Sequence, residues 1–223
     1  MGVEVNLLDQ YPKSKRPIDD RAKMITEEHR AVARKFDVEF FDGDRLTGYG
    51  GYDYHPRFWT DTVRRIVDYY ELPENARVLD VGCAKGFMMY DMSQYRSDLD
   101  IRGVDVSSYA CEHAKEEMKP FIQTANANNL PFPDNSFDLV IAINTLHNLP
   151  LIDCKQALRE VMRVTRSHAF VMNDAWRNDD EKKAMLGWNL TALSYMHVDE
   201  WRKLFDEVGY TGDYFWFIAQ SEE

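Results

Sequence analysis

The chain has 223 residues, of which 44% are hydrophobic and 29% charged, and it carries a formal net charge of −11. That composition supports one globular domain with an elaboration, and no apolar run reaches the ~18 residues of a membrane span. The acid excess opposes a polyanionic partner, because nucleic-acid affinity is drawn largely from Lys and Arg on phosphates.

Cys83, Cys111 and Cys154 lie far apart, without CxxC or zinc spacing, and read as reduced thiols of a cytoplasmic protein. Residues 1–10 lack the basic start of a secretory signal. Residues 1–20 read as a flexible tail, with Pro12, Pro17 and a short basic run, Lys13, Lys15 and Arg16. A helix is expected over 21–36. The segment 40–55, FFDGDRLTGYGGYDYH, sets Gly43, Gly48, Gly50 and Gly51 among aromatics, which suits neither a regular helix nor a solvated linker. Pro56 opens a helix to about residue 72, with Trp59, Val63, Ile66, Val67 and Tyr70 on one buried face.

From residue 73 the period switches repeatedly. Strands are expected at 77–81, 101–106, 121–125, 137–144, 169–173 and 210–219, and helices at 87–96, 108–118, 153–165 and 199–208. The run FDLVIAIN at 137–144 is nearly all apolar, as a strand buried on both faces requires. Such alternation predicts an α/β fold with a doubly wound, mostly parallel sheet and ligands at the carboxyl ends of its strands.

The segment 78–87, VLDVGCAKGF, is a strand, a turn of small residues and a helix start. A dinucleotide fingerprint would read GxGxxG there. This chain reads Asp80-x-Gly82-x-Ala84-x-Gly86. The acid before the first glycine repels a pyrophosphate and attracts an ammonium. Asp105 follows Gly86 by 19 residues and ends the second strand, where a carboxylate can accept from both hydroxyls of a ribose.

With VLDVGCAKG, GVDVS, NANNLPFPDNSFDLVIAINTLHNL and ALREVMRV in this order over about residues 75–175, the chain resembles the class I, Rossmann-like S-adenosylmethionine-dependent methyltransferases. The resemblance implies S-adenosylmethionine as cofactor. Asp80, Gly82, Ala84 and Gly86 would hold its methionine end, Asp105 its ribose, and Asn126 and Ala127 its adenine, with Asn144 beside them. Ala84 replaces the family's middle glycine, and Asn126 stands where Asp is common. The family's final strand hairpin is expected to be abbreviated to one good strand.

Methyl transfer to a hydroxyl or ammonium requires an aligned acceptor and a proton acceptor. His147, after the fourth strand, is the expected base, with His55 and His197 as rivals. By the resemblance, residues 21–72 form a helical and aromatic lid, and an insertion at 176–198 supplies an acceptor pocket. The expected pocket and lid residues are Tyr49, Tyr52, His55, Arg57, Asn148, Trp188, Tyr195 and His197, a polar-aromatic set that suits a sugar, sugar nucleotide or other small polar acceptor. No metal, nucleic acid or membrane is expected, and self-association is left open. Two alternatives stand: a nicotinamide-dependent oxidoreductase, and a non-catalytic cofactor-binding module whose abbreviated sheet edge a partner chain covers.

Overall fold

The computed structural model describes residues 2–12, 18–50 and 52–219. Lys13, Lys15, Arg16, Pro17 and Gly51 lie outside them. The described residues form seven strands: β1 (Arg77–Val81), β2 (Asp100–Asp105), β3 (Ile122–Thr124), β4 (Phe137–Ile143), β5 (Thr165–Trp176), β6 (Met196–His197) and β7 (Asp213–Phe217). Their order is β3-β2-β1-β4-β5, and β5 then pairs with β7 over Phe170–Asp174 and with β6 over Ala175–Trp176. Every pairing is parallel. The order reverses between β1 and β4, so the switch point lies at the carboxyl ends of these two strands.

Alternate residues of each central strand enter two cores. Leu79, Val140, Ala142 and Val171 face the core that holds α7 (Leu151–Val164) and α9 (Val198–Val208). Val78, Leu139, Ile141 and Phe170 face the core that holds α4 (Pro56–Tyr69) and α5 (Phe87–Tyr95). Both faces are covered, as a parallel sheet requires. No helix among the described residues is long and apolar enough to cross a membrane.

Three expectations are corrected, and one helix is found that was not expected. The helix expected over 21–36 is two, α1 (Ile18–Met24) and α2 (Glu27–Ala33), because Thr26 caps the second in a reciprocal box with His29. α6 (Ser108–Glu112) covers half of 108–118, since the Lys115 amide turns to the Lys85 carbonyl (2.9 Å) instead of continuing the helix. The insertion contains α8 (Asp179–Trp188), whose signal was the Asn178 cap followed by Asp179, Asp180 and Glu181.

Finally, residues 2–12 do not form a loose tail. Residues 3–5 run parallel to β7, with Val5 N–H donating to Tyr214 O (3.0 Å) and Tyr214 N–H to Val3 O (3.1 Å), and Leu7 is fully buried. The Glu4 carboxylate reaches Arg177 (3.5 Å) and Arg202 (2.8 Å). The sheet edge reserved for a partner is thus occupied by the chain itself.

Candidate functional site

At the carboxyl end of β1 the chain turns through Gly82, Ala84 and Gly86 with φ of +81°, +49° and +73°, and Gly86 then starts α5. A Cβ on Gly82 would collide with the Thr145 side chain after β4, so only glycine fits there. Ala84 adopts the same left-handed conformation despite its Cβ, at a cost of roughly 1–2 kcal/mol. Its N–H donates to Asp105 Oδ2 (2.8 Å), while Asp105 Oδ1 accepts from Ser107 N–H (2.9 Å). Both oxygens keep a lone pair for a further donor.

Asp80 lies beneath the turn, 5% exposed. Burial, reinforced by the Asp105 charge, pushes its carboxyl up to about 8. Asp105 is also raised by burial, with the Ser107, Ala84 and Val106 amides opposing. Two acids thus share a low-dielectric site that would be relieved by a cation.

Over these groups opens a cleft of about 200 Å³. Gly82, Ala84, Asp105, Asn126, Ala127 and Asn144 line it together with Val106, Ile143, Thr145, Asn148 and Leu149. Asp80 and Gly86 sit behind this lining rather than in it. Asn126 Oδ1 is engaged by the Asn128 amide (3.2 Å). The outer wall is Phe36, Phe40 and Phe41, from α3 (Val38–Phe41) and the turn before it. Phe36 holds a φ of +51°, rare for a bulky residue, and packs edge-on against Phe40 at 5.2 Å. These three phenylalanines were not singled out from sequence.

Most of the expected acceptor residues lie elsewhere. Tyr49 stacks on Trp188 (5.4 Å), and its hydroxyl accepts from the Leu190 amide (2.8 Å); burial, then the Asp174 charge, pushes its pKa to about 12. Tyr52 offers its carbonyl to Lys85. His55 is an exposed cap of α4, accepting from Arg57 N–H at 3.2 Å, and Arg57 is exposed over the Phe58 ring. Tyr195 packs against Trp176 (5.8 Å). His197 caps α9, accepting from Asp199 N–H (3.1 Å). Of the expected pocket and lid residues Asn148 alone lines the cleft, beside the expected cofactor residue Asn144.

His147 is the principal correction. Its ring is 4% exposed, and Nδ1 accepts the Asp174 amide (3.0 Å), which leaves the proton on Nε2. Burial pulls its pKa down to about 3. Its carbonyl accepts from the Leu193 (2.9 Å) and Ser194 (2.8 Å) amides. The residue clamps the end of β4 to β5 and to the insertion. The ring is not part of the cleft lining.

Three polar residues beside the cleft, Lys85, Asp42 and Tyr109, were not singled out from sequence. Lys85, within the glycine turn, donates to Asp42 Oδ1 and to Tyr52 O (2.9 Å), and Tyr109 O–H donates to Asp42 Oδ2 (2.7 Å). A lysine between two turn residues carries no sequence signal of its own.

Residues 79–172 match the model of a family described as a methyltransferase domain. A sterol 4-C-methyltransferase of Caenorhabditis elegans is 29% identical over 53% of this chain and 36% of its own length. A 27-O-demethylrifamycin SV methyltransferase of Amycolatopsis mediterranei is 29% identical over 55% of this chain and 51% of its own. The solved structure of the YcgJ protein of Bacillus subtilis superposes with a TM-score of 0.54 over 66% of each chain, at 23% identity, which shows the shared fold. The chain spans about half the length of the curated relatives it matches.

Proposed function

Because the chain belongs to the class I S-adenosylmethionine-dependent methyltransferases, we propose that it methylates an oxygen or nitrogen of a small acceptor that presents an apolar face. One observation carries the acceptor class. The cleft is walled by Phe36, Phe40, Phe41, Ile143 and Leu149, whereas the polar His55 and Arg57 are exposed outside it.

The residues present fit the cofactor. The Asp80 carboxyl is raised by burial and then by the Asp105 charge, so a cationic amino-acid end at the turn relieves the pair, which a pyrophosphate would not. Asp105 has a lone pair left on each oxygen for ribose hydroxyls. Gly82 lacks the Cβ that would fill the cradle. When bound, S-adenosylmethionine supplies a methyl group already activated on a sulfonium.

The chain's own contribution is placement and exclusion of water. The glycine turn and Asp105 orient the donor, and the aromatic wall keeps water from the reacting atoms. Asn144 and Asn148 are the amides positioned to orient the acceptor atom. Phe41→Ala tests the acceptor class: turnover with flat apolar alcohols or amines should fall about tenfold, and with sugars it should stay at background. Methylation of sugars by the wild-type chain, indifferent to Phe41→Ala, would overturn the apolar reading.

A further inference from the structure

We propose that Lys85 is a positioning residue that ties closure of the aromatic wall to the state of the glycine turn, acting through Asp42. The inference rests on the reading of the cleft as the cofactor site.

The side chain of Lys85 is 9% exposed. An ammonium is rarely removed from water unless partners hold it, and here both partners belong to the lid. Asp42 directly follows Phe41, the last phenylalanine of the cleft wall, and caps the carboxyl end of α3. Tyr52 lies ten residues further along the same segment. One ammonium therefore grips the lid at two points, beside the wall and beyond it. Tyr109, on α6, holds the other oxygen of Asp42.

The opposite end of the segment is fixed independently. Tyr54 O–H and Thr60 O–H both donate to Asp91 on α5. Phe40 and Phe41 can leave the cleft without unseating that end only if the Lys85–Asp42 contact opens.

The backbone of Lys85 is equally committed. Its neighbour Ala84 donates to Asp105, its own carbonyl accepts from Lys115 N–H, and Gly86 starts α5. A shift of the turn that frees Asp105 must drag the lysine, and with it Asp42. A ligand that holds the turn and Asp105 in place therefore favours the closed wall, and a closed wall favours the ligand, since such coupling is reciprocal.

The test is hydrogen exchange of amides 38–48 together with calorimetric titration of S-adenosylmethionine, on the wild type, Lys85→Met, Asp42→Asn and the double variant. Exchange of 38–48 in the unliganded chain should quicken about tenfold in each single variant, and the dissociation constant should rise by about the same factor. The double variant should be no worse than either single one, because one contact is lost in all three. Tyr109→Phe, which removes one hydrogen bond, should quicken exchange a few-fold and serves if Lys85→Met does not fold. Unchanged exchange at 38–48, or losses of affinity that multiply in the double variant, would overturn the coupling. Failure of the wild type to bind S-adenosylmethionine would instead overturn the reading of the cleft, while the exchange result would still decide the latch.

Discussion

The cradle at the ends of β1 and β2 and the N-terminal segment that brings Phe36, Phe40 and Phe41 to the cleft are built by different means. In the cradle, Gly82 and Cys83 donate to Val104 O, Ala84 and Ser107 donate to Asp105, and left-handed turn residues leave no room for alternatives. The covering segment is held by side chains: Ile18 packs with Met185 and Trp188, Ile25 and Ala33 with Leu190, Arg30 donates to Asn189 O, Tyr49 accepts from the Leu190 amide, and Lys85 holds Asp42. A site held by main chain within a buried parallel sheet stays ordered with the fold. A cover held by individual contacts can open at a fraction of the global stability. The two regions, joined through Lys85, should therefore respond differently to substitution: cradle variants lose global stability, and lid variants loosen the cover.

The largest effect is expected in the cradle. Gly82→Ala places a methyl group into Thr145 at a φ of +81°. Stability should fall by about 2–4 kcal/mol, and calorimetry should find no binding of S-adenosylmethionine; ordinary affinity would mean that the turn is not the contact surface. His147→Ala comes next. Loss of a buried ring and of the acceptor for the Asp174 amide should cost about 2–4 kcal/mol in denaturant unfolding, while the folded fraction keeps turnover within a few-fold. A large fall in turnover at unchanged stability would restore His147 as the base.

Asp80 gives a smaller, pH-dependent effect. Its folded pKa, about 8, lies above that of an unfolded carboxylate. The folded state thus holds a proton that the unfolded state has lost, and Asp80's contribution to stability is present below about pH 4 and fades as pH rises through 8. Thermal unfolding of the unliganded chain should show Asp80→Asn gaining on the wild type by roughly 1–3 kcal/mol between pH 5 and 8. A cationic ligand favours the ionised form, so S-adenosylmethionine should bind more tightly at pH 8 than at pH 6. Parallel stability curves for the two proteins would remove Asp80 from the buried acid pair.

Ala84→Gly is the mildest. Relief of the left-handed alanine should raise stability by about 0.5–1 kcal/mol, or ~1–3 °C in melting temperature. A lower melting temperature would show that the turn tolerates the Cβ without strain.

The same division governs what could be read in advance. The cradle was legible because its constraints are local in the chain: an acid and small residues at fixed spacing, and a second acid at the next strand end. β1 and β4 were legible from their β-branched and apolar residues, and β2 and β3 from the alternation of strand and helix segments around them. The lid was not, because its contacts join residues far apart, such as Lys85 with Asp42. His147 had the sequence context of a base, yet its burial and its bond to Asp174 depend on how β4 meets β5, 27 residues on. The alternation Val3, Val5, Leu7 did mark an edge strand, but it is too short to outweigh the charges and prolines around it. Phe36 ended the helix expected over 21–36, and Phe40 and Phe41 opened the glycine- and aromatic-rich stretch 40–55, whose partners lie far away in the chain.

Calorimetric titration of the wild type and of Asp105→Ala with S-adenosylmethionine, with NAD in parallel, tests the cradle most directly. The predicted result is micromolar binding of S-adenosylmethionine to the wild type, at least tenfold weaker in Asp105→Ala, and no heat from NAD. Binding of NAD instead, or undiminished affinity in Asp105→Ala, would contradict it.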